Sequence, residues 1–141
     1  MKGLNDLTER IIGCAMKVHS ALGPGLLESA YEACLEYELK RSGMQVERQK
    51  PLPVMYEGVC VECGYRIDLL VEDTVILELK AVDAFAPIHE AQLLSYLKLS
   101  GNQLGLLINF NVIHLRKGIK RMVNNYIESP PRPSAPSAVK S

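Results

Sequence analysis

The chain has no uninterrupted apolar run close to the ~18 residues that a membrane span requires, and its longest candidate covers only residues 104–110. Its first ten residues include acids where a secretory signal would need a basic start and an apolar core. We therefore expect no membrane partner and predict a cytoplasmic protein.

Cysteine is sparse and forms no recognisable framework. Cys14 and Cys34 stand among apolar neighbours on predicted helices, where buried thiols are expected. Cys60 and Cys63 have the C-x2-C spacing of half a zinc site. A structural zinc needs four ligands, and no second pair lies nearby in the sequence. We therefore expect free thiols rather than a zinc site.

Two common catalytic arrangements are also missing. Gly23-Pro24-Gly25 is not followed by the Lys-Ser/Thr pair of a phosphate-binding loop. No serine or cysteine occupies a recognisable nucleophile elbow. These absences argue against a P-loop enzyme and against covalent catalysis by serine or cysteine.

Net charge is zero, with 16 basic and 16 acidic side chains, and by itself it does not favour nucleic-acid binding. The distribution is uneven, because residues 114–141 contain six basic residues and one acidic residue. Lys117, Lys120 and Arg121 of this segment can contact a phosphate backbone. A solvated helix face followed by a basic tail explains the same residues at least as well.

Hydrophobic periodicity predicts a single domain over residues 1–128 and a disordered Pro/Ser-rich tail over residues 129–141. Helices are predicted at residues 8–21, 24–42, 87–100 and 117–127. Pro24 and Pro87 would occupy first helical positions, and Gly101 would end the third helix.

Predicted strands lie between these helices. They cover residues 45–50, 52–56, 59–71, 75–81, 104–110 and 112–116. Pro51 and Pro53 place the first two at a sheet edge. This order predicts an α/β fold with a central mixed β-sheet flanked by helices.

The most informative stretch joins two predicted strands through the loop at residues 72–74. Side chains alternate between strand faces, so Arg66 and Asp68 share a face, as do Glu78 and Lys80. A hairpin with this three-residue loop places Asp68 across from Glu78, and it also places Arg66 across from Lys80. Only an odd-length loop collects these charges on one face and leaves the other apolar.

Asp68, Glu78 and Lys80 together suit metal-assisted phosphodiester hydrolysis. Two opposed carboxylates repel each other, and a divalent cation converts that repulsion into affinity. Mg²⁺ prefers one or two carboxylates together with waters and phosphate oxygens. Lys80 can stabilise charge on the phosphate or orient the attacking water. On spacing alone, a solvated sheet face with an ordinary ion pair is an equal alternative.

Three motifs resemble those of a known superfamily. Asp68 followed after nine residues by Glu78-Leu79-Lys80 resembles the D…(D/E)xK core of the PD-(D/E)xK nucleases. Residues 25–31 match GxxExxY letter for letter, and residues 92–96 resemble the QxxxY motif. The chain therefore resembles the GxxExxY family, a branch of that superfamily, from about residue 7 to residue 125. The superfamily's proline is replaced, since Tyr65-Arg66-Ile67 precedes Asp68.

The resemblance implies a PD-(D/E)xK nuclease-like core and a metal-dependent nuclease that acts on DNA or RNA with Mg²⁺ or Mn²⁺. Asp68 and Glu78 would hold the metal, and Lys80 would assist the chemistry. Glu28 would be a further acid at the metal, although it is also a plausible solvent-facing residue near a helix N-terminus. The rival interpretation is a non-catalytic nucleic-acid or protein-binding module on the same fold. The sequence leaves a homodimer open.

Further residues would support the site. Gln92 and Tyr96 share a helix face, and by resemblance they flank the catalytic strands. His89 joins that face as a weaker candidate for a proton shuttle. Tyr31 would order Glu28 or the substrate, although its place on an apolar stripe favours core packing. Arg66 is a candidate for substrate binding.

Overall fold

The computed structural model describes residues 2–124 of the chain. Residues 125–128 of the predicted domain, the end of the predicted last helix and the predicted tail at residues 129–141 lie outside them. The elements in chain order are α1 (Lys2–Leu22), α2 (Glu28–Arg41), β1 (Val46–Pro51), β2 (Val54–Tyr56), β3 (Val59–Val61), β4 (Arg66–Val71), β5 (Val75–Lys80), α3 (Pro87–Ser100), β6 (Leu104–Asn109), a 3-10 helix (Leu115–Gly118) and β7 (Ile119–Val123).

Five strands form one mixed sheet in the order β1-β4-β5-β6-β7. The pair β5–β6 is parallel and is joined through α3, whereas the other neighbouring strands are antiparallel. β2 and β3 form a separate hairpin, closed at its base by a hydrogen bond from Leu52 N–H to Tyr65 O (2.8 Å). The predicted α/β fold with a helix-flanked mixed sheet is confirmed, and β1 with Pro51 lies at the sheet edge as expected.

Helices cover the sheet on both faces. Leu69 and Leu77 pack with residues of α1 and α2 in one core. Leu70 and Ile76 pack with Leu93 of α3 in a second core. The alternative of a solvated sheet face is therefore wrong, because α3 covers the face on which Leu70 and Ile76 lie.

Two differences from the predicted element boundaries lie close to the charged residues. α2 begins at Glu28 rather than at Pro24. The strand predicted over residues 59–71 is broken between Val61 and Arg66, where Gly64 has a φ of +81°. Such a conformation interrupts extended backbone and favours glycine.

The predictions at the C-terminal end of the described chain were also wrong. Residues 112–116 do not form a strand, and residues 119–123 form β7 rather than a helix. Ile119 packs against the core beneath α1 and α2, and Met122 packs against the core beneath α3. A sheet covered on both faces buries apolar residues that point to either side of a strand. Ile119 and Met122 are therefore three residues apart, the same spacing as on one face of a helix.

Membrane and cysteine predictions concern the same described residues. No helix within residues 2–124 is long and apolar enough to span a membrane. No disulfide joins the four cysteines, and Cys14 is buried whereas Cys34 is half-buried. Cys60 lies on β3, Cys63 follows it, and both are exposed.

Candidate active site

The turn between β4 and β5 sets the register of the two strands. Leu70 pairs with Ile76 and Val71 with Val75, which confirms the three-residue loop. Glu72 and Asp73 both have a φ of +53°, a conformation that costs energy for residues other than glycine. The Glu72 carboxylate accepts a hydrogen bond from Gln45 N–H (2.6 Å), which ties the loop to the start of β1.

The backbone ladder of this hairpin ends at Leu69 and Leu77, and carboxylates bridge the strands beyond it. Asp68 N–H donates to Glu78 Oε2 at 3.0 Å. In the opposite direction, Leu79 N–H donates to Asp68 Oδ2 at 2.8 Å. Each acid therefore accepts a hydrogen bond from the backbone of the opposite strand, and the two acids are neighbours between β4 and β5.

Burial and mutual repulsion make this pair costly to ionise. Burial, followed by the charge of Asp68, raises the pKa of Glu78 to about 8. Burial, reinforced by the charges of Glu32 and Glu28, raises the pKa of Asp68 to about 6. The charge of Lys80 lowers the pKa of both acids, so its ammonium lies close enough to act on them. At neutral pH the pair retains a proton unless a cation supplies the missing positive charge.

These acids form a donor set that fits a hard divalent cation. Mg²⁺ takes oxygen ligands and keeps several waters beside one or two carboxylates. No group of three or more His, Cys, Asp or Glu side chains within residues 2–124 could hold a metal ion. The two carboxylates that the structure brings together at this point are those of Asp68 and Glu78. Glu28 is exposed in the first turn of α2, and its role as a third ligand remains a prediction.

Tyr31 fixes the segment that leads into α2. Its ring is fully buried and stacks on Phe110 with centroids 4.5 Å apart. Its hydroxyl donates to Gly23 O (2.6 Å) and accepts from Leu26 N–H (3.1 Å). These bonds hold the chain before Glu28 outside the helix. Full burial excludes direct contact between Tyr31 and a substrate and confirms the core-packing interpretation.

Three polar residues near Asp68 were missed by the sequence analysis. Glu32, one turn after Glu28, is only 7% exposed. It accepts hydrogen bonds from Arg48 Nε (2.7 Å) and from Gln49 Nε2 (3.0 and 3.1 Å). Gln49 Nε2 also reaches Asp68 Oδ1 at 3.3 Å. The only sequence signal was the spacing of Glu32, four residues after Glu28 on a predicted helix.

Gln92 and Tyr96 of α3 lie together beside the acids. Gln92 Nε2 donates to the Tyr96 hydroxyl at 3.4 Å, so the two side chains lie on the same face of α3, as predicted. Burial, and then the charges of Glu78 and Asp68, raise the pKa of Tyr96. Tyr96 is therefore close enough to both acids to sense their charge.

His89 and Arg66 have other contacts than expected. His89 Nδ1 accepts a hydrogen bond from Ala86 N–H (3.0 Å) at the start of α3, so the ring caps this helix, and its role as a proton shuttle stays a prediction. Arg66 is paired with Pro51 of β1, and its guanidinium donates to Gln49 O (3.3 Å). Its expected pairing with Lys80 is wrong, because the β4–β5 ladder ends before it.

The basic residues of β7 do not share one surface. Lys120 forms an ion pair with Glu90 of α3 (3.1 Å), whereas Arg121 donates to Asn5 of α1 (3.1 Å). Because α1 and α3 cover opposite faces of the sheet, these two cations lie on opposite sides of it. This division weakens the interpretation of the segment as a phosphate-binding stripe.

Comparison with known families adds to this geometry. A family model described as the PD-(D/E)XK nuclease superfamily matches residues 5–122, a range that includes Asp68, Glu78 and Lys80. No curated protein and no solved structure shows a significant match to the chain. The matching model represents the superfamily, so the GxxExxY branch remains a prediction.

Proposed function

We propose that this chain is a Mg²⁺- or Mn²⁺-dependent nuclease that hydrolyses phosphodiester bonds in DNA or RNA. The chain belongs to the PD-(D/E)XK nuclease superfamily. The GxxExxY motif at residues 25–31 supports placing it in the branch of that name. The observation that carries the proposal is the cross-strand pair of Asp68 and Glu78 with Lys80 beside it.

The cost of this arrangement favours an enzyme over a binding module. Glu78 is only 4% exposed, and Asp68 lies beside it with its pKa also raised. A fold that served only as a scaffold would be more stable with apolar residues at these positions. A buried acid and a half-buried acid held next to each other are useful where a cation offsets their charge.

Asp68 and Glu78 would hold the ion. Each uses one oxygen to accept a backbone N–H, so the other oxygen of each carboxylate can serve as a ligand. When bound, the metal supplies Lewis-acid stabilisation of the phosphate and a more acidic bound water.

Lys80 would act on the charge that develops on the phosphate. Its ammonium cannot bind a metal, because it has donors and no acceptor. Its charge lies close enough to lower the pKa of both acids, which supports a role in stabilising negative charge beside them. Gln92 would support the site through Tyr96, and Glu28 would add negative charge from α2.

Cleavage of labelled single- and double-stranded DNA and RNA, with Mg²⁺ or Mn²⁺, tests the proposal. Wild type and Lys80→Ala are purified in parallel, with Lys98→Ala as a control that removes an exposed lysine of α3. We expect Lys80→Ala to lose ~10²- to 10³-fold in rate, the usual cost of removing one preorganised charge-stabilising group. It should keep metal binding, and Lys98→Ala should behave as wild type.

Two results would contradict the proposal. Equal cleavage by wild type and Lys80→Ala would indicate a contaminating nuclease. An absence of cleavage by wild type with every ion and substrate would favour the non-catalytic binding module.

A further inference from the structure

We propose that Gln49 is a positioning residue that fixes Asp68 for metal binding, an inference that rests on the proposed nuclease function. Gln49 belongs to β1, at the edge of the sheet next to β4. Its Nε2 lies 3.3 Å from Asp68 Oδ1, while Leu79 N–H holds the other oxygen at 2.8 Å. Together the two donors fix the plane of the carboxylate.

Metal binding is compatible with this contact. A carboxylate oxygen can accept at more than one lone-pair position, so Asp68 Oδ1 can contact both the Gln49 amide and a cation. Residues that hydrogen-bond to ligating carboxylates orient them, and their loss typically weakens metal affinity or activity ~10- to 100-fold. Gln49 has the chemistry and the position for that role.

The amide of Gln49 is itself held by a buried acid. The same Nε2 donates to both oxygens of Glu32 at 3.0 and 3.1 Å. Arg48 Nε donates to Glu32 Oε2 at 2.7 Å, so the negative charge of Glu32 is paired. Glu32 is 7% exposed and lies on α2. The helix therefore supplies a rigid anchor for the amide that contacts Asp68.

The backbone of Gln49 is strained. Its φ is +55°, in the left-handed region that residues other than glycine seldom adopt. The flanking residues Arg48 and Lys50 pair normally with Leu69 and Ile67, whereas Gln49 has no partner in this ladder. Such strain persists where the surroundings enforce it, and it is found at active sites. Glycine would relieve this strain, so the glutamine at this position lowers the stability of the backbone while it supplies the amide that contacts Asp68.

Substitution by glycine separates function from stability. Gln49→Gly relieves the strained φ and removes the amide, so its metal-free melting temperature should equal or exceed that of wild type. Its Mn²⁺ dissociation constant, measured by calorimetry without nucleic acid, should rise ~10- to 100-fold. Gln49→Asn tolerates this φ and keeps a shorter amide, so it should recover part of the affinity. Gln45→Ala, which removes an exposed glutamine just before β1, is the control.

The outcomes distinguish this inference from the proposed function. Unchanged Mn²⁺ affinity in a folded Gln49→Gly protein would overturn the positioning role. Loss of melting temperature in Gln49→Gly, without loss of affinity, would assign Gln49 a structural role instead and also overturn it. Wild type that binds Mn²⁺ but cleaves nothing would refute the nuclease, and weakened binding by Gln49→Gly would still support the positioning role.

Discussion

The two halves of the β4–β5 hairpin are built differently, although they share two strands. Next to the turn, Leu69, Leu70 and Val71 pair with Leu77, Ile76 and Val75 in a regular ladder, and all six are buried. Away from the turn, Asp68 and Glu78 bridge the strands through carboxylate oxygens. The first half stabilises the fold, and the second half gathers charge that the fold must hold in place.

This difference shows how an active site can be costly without unfolding its protein. The raised pKa values of Asp68 and Glu78 report free energy lost at the charged half. Apolar burial at the turn half offsets that loss within the same hairpin. The comparison predicts that substitutions in the two halves have opposite effects on stability and on metal-dependent function.

Leu77→Ala should have the largest effect on stability. Leu77 is fully buried, and removing a buried leucine side chain typically costs ~2–5 kcal/mol through lost burial and the remaining cavity. Denaturant unfolding measures the change. A loss below ~1 kcal/mol would mean that the turn half does not anchor the hairpin.

Asp68→Ala should abolish the stabilisation that metal gives. At a metal concentration 100-fold above its Kd, a single-site ligand stabilises a protein by ~2.7 kcal/mol. We expect Mg²⁺ or Mn²⁺ to raise the melting temperature of wild type, and to have little effect on Asp68→Ala, because a ligand is gone. The measurement is thermal unfolding with and without metal. Equal shifts in the two proteins would place the ion elsewhere.

The metal-free protein should lose stability as pH rises. The pKa of Glu78 is raised from 4.5 to about 8 in the folded state, so the fold favours the protonated acid. Its contribution is fully present below about pH 4.5 and is lost as pH rises through about 8. Urea unfolding in a chelating buffer should show a fall of at least ~1.4 kcal/mol, the equivalent of one pKa unit.

Glu78→Gln is the matched control for this pH dependence. The amide keeps an oxygen to accept the hydrogen bond from Asp68 N–H but cannot ionise. Its stability should change less with pH and should equal or exceed that of wild type at pH 8. If the free energy of unfolding changes equally with pH in the two proteins, ionisation of Glu78 does not destabilise the fold.

Lys120→Ala should have the smallest effect. The ion pair with Glu90 is partly exposed, and such pairs contribute ~0–1 kcal/mol. The residue lies on the edge strand opposite β1, so neither metal binding nor cleavage should change. A gel-shift assay over a salt series measures nucleic-acid affinity. A large loss of salt-sensitive affinity for nucleic acid would indicate that the basic segment with Lys117, Lys120 and Arg121 is the binding surface.

Local sequence rules sufficed for the hairpin and for α3. Loop length and strand alternation predicted the register that brings Asp68 to Glu78. Pro87 and Gly101 marked the ends of α3, where Gly101 adopts the expected left-handed conformation. These features depend on residues close together in the chain, and therefore local patterns were enough.

Other parts depend on contacts between distant residues. Gln49 meets Glu32 across 17 positions and Asp68 across 19, and no local pattern encodes its positive φ. The start of α2 depends on the hydroxyl of Tyr31, which holds Gly23 outside the helix. The path of residues 119–123 depends on a sheet buried on both faces, a property that the sequence analysis did not anticipate.

The short loop at residues 72–74 also bears on the order of folding. It closes the smallest loop between neighbouring strands of the main sheet, so the turn half of the hairpin has the lowest entropic barrier to formation. Repulsion between Asp68 and Glu78 opposes pairing of the other half of the hairpin. The contact between Gln49 and Asp68 also requires that β1 has paired with β4. We expect the contacts of Leu77 to be formed in the transition state for folding, and the contacts among Asp68, Glu78 and Gln49 to form later. Leu77→Ala would then slow folding, whereas Gln49→Ala would mainly change the unfolding rate.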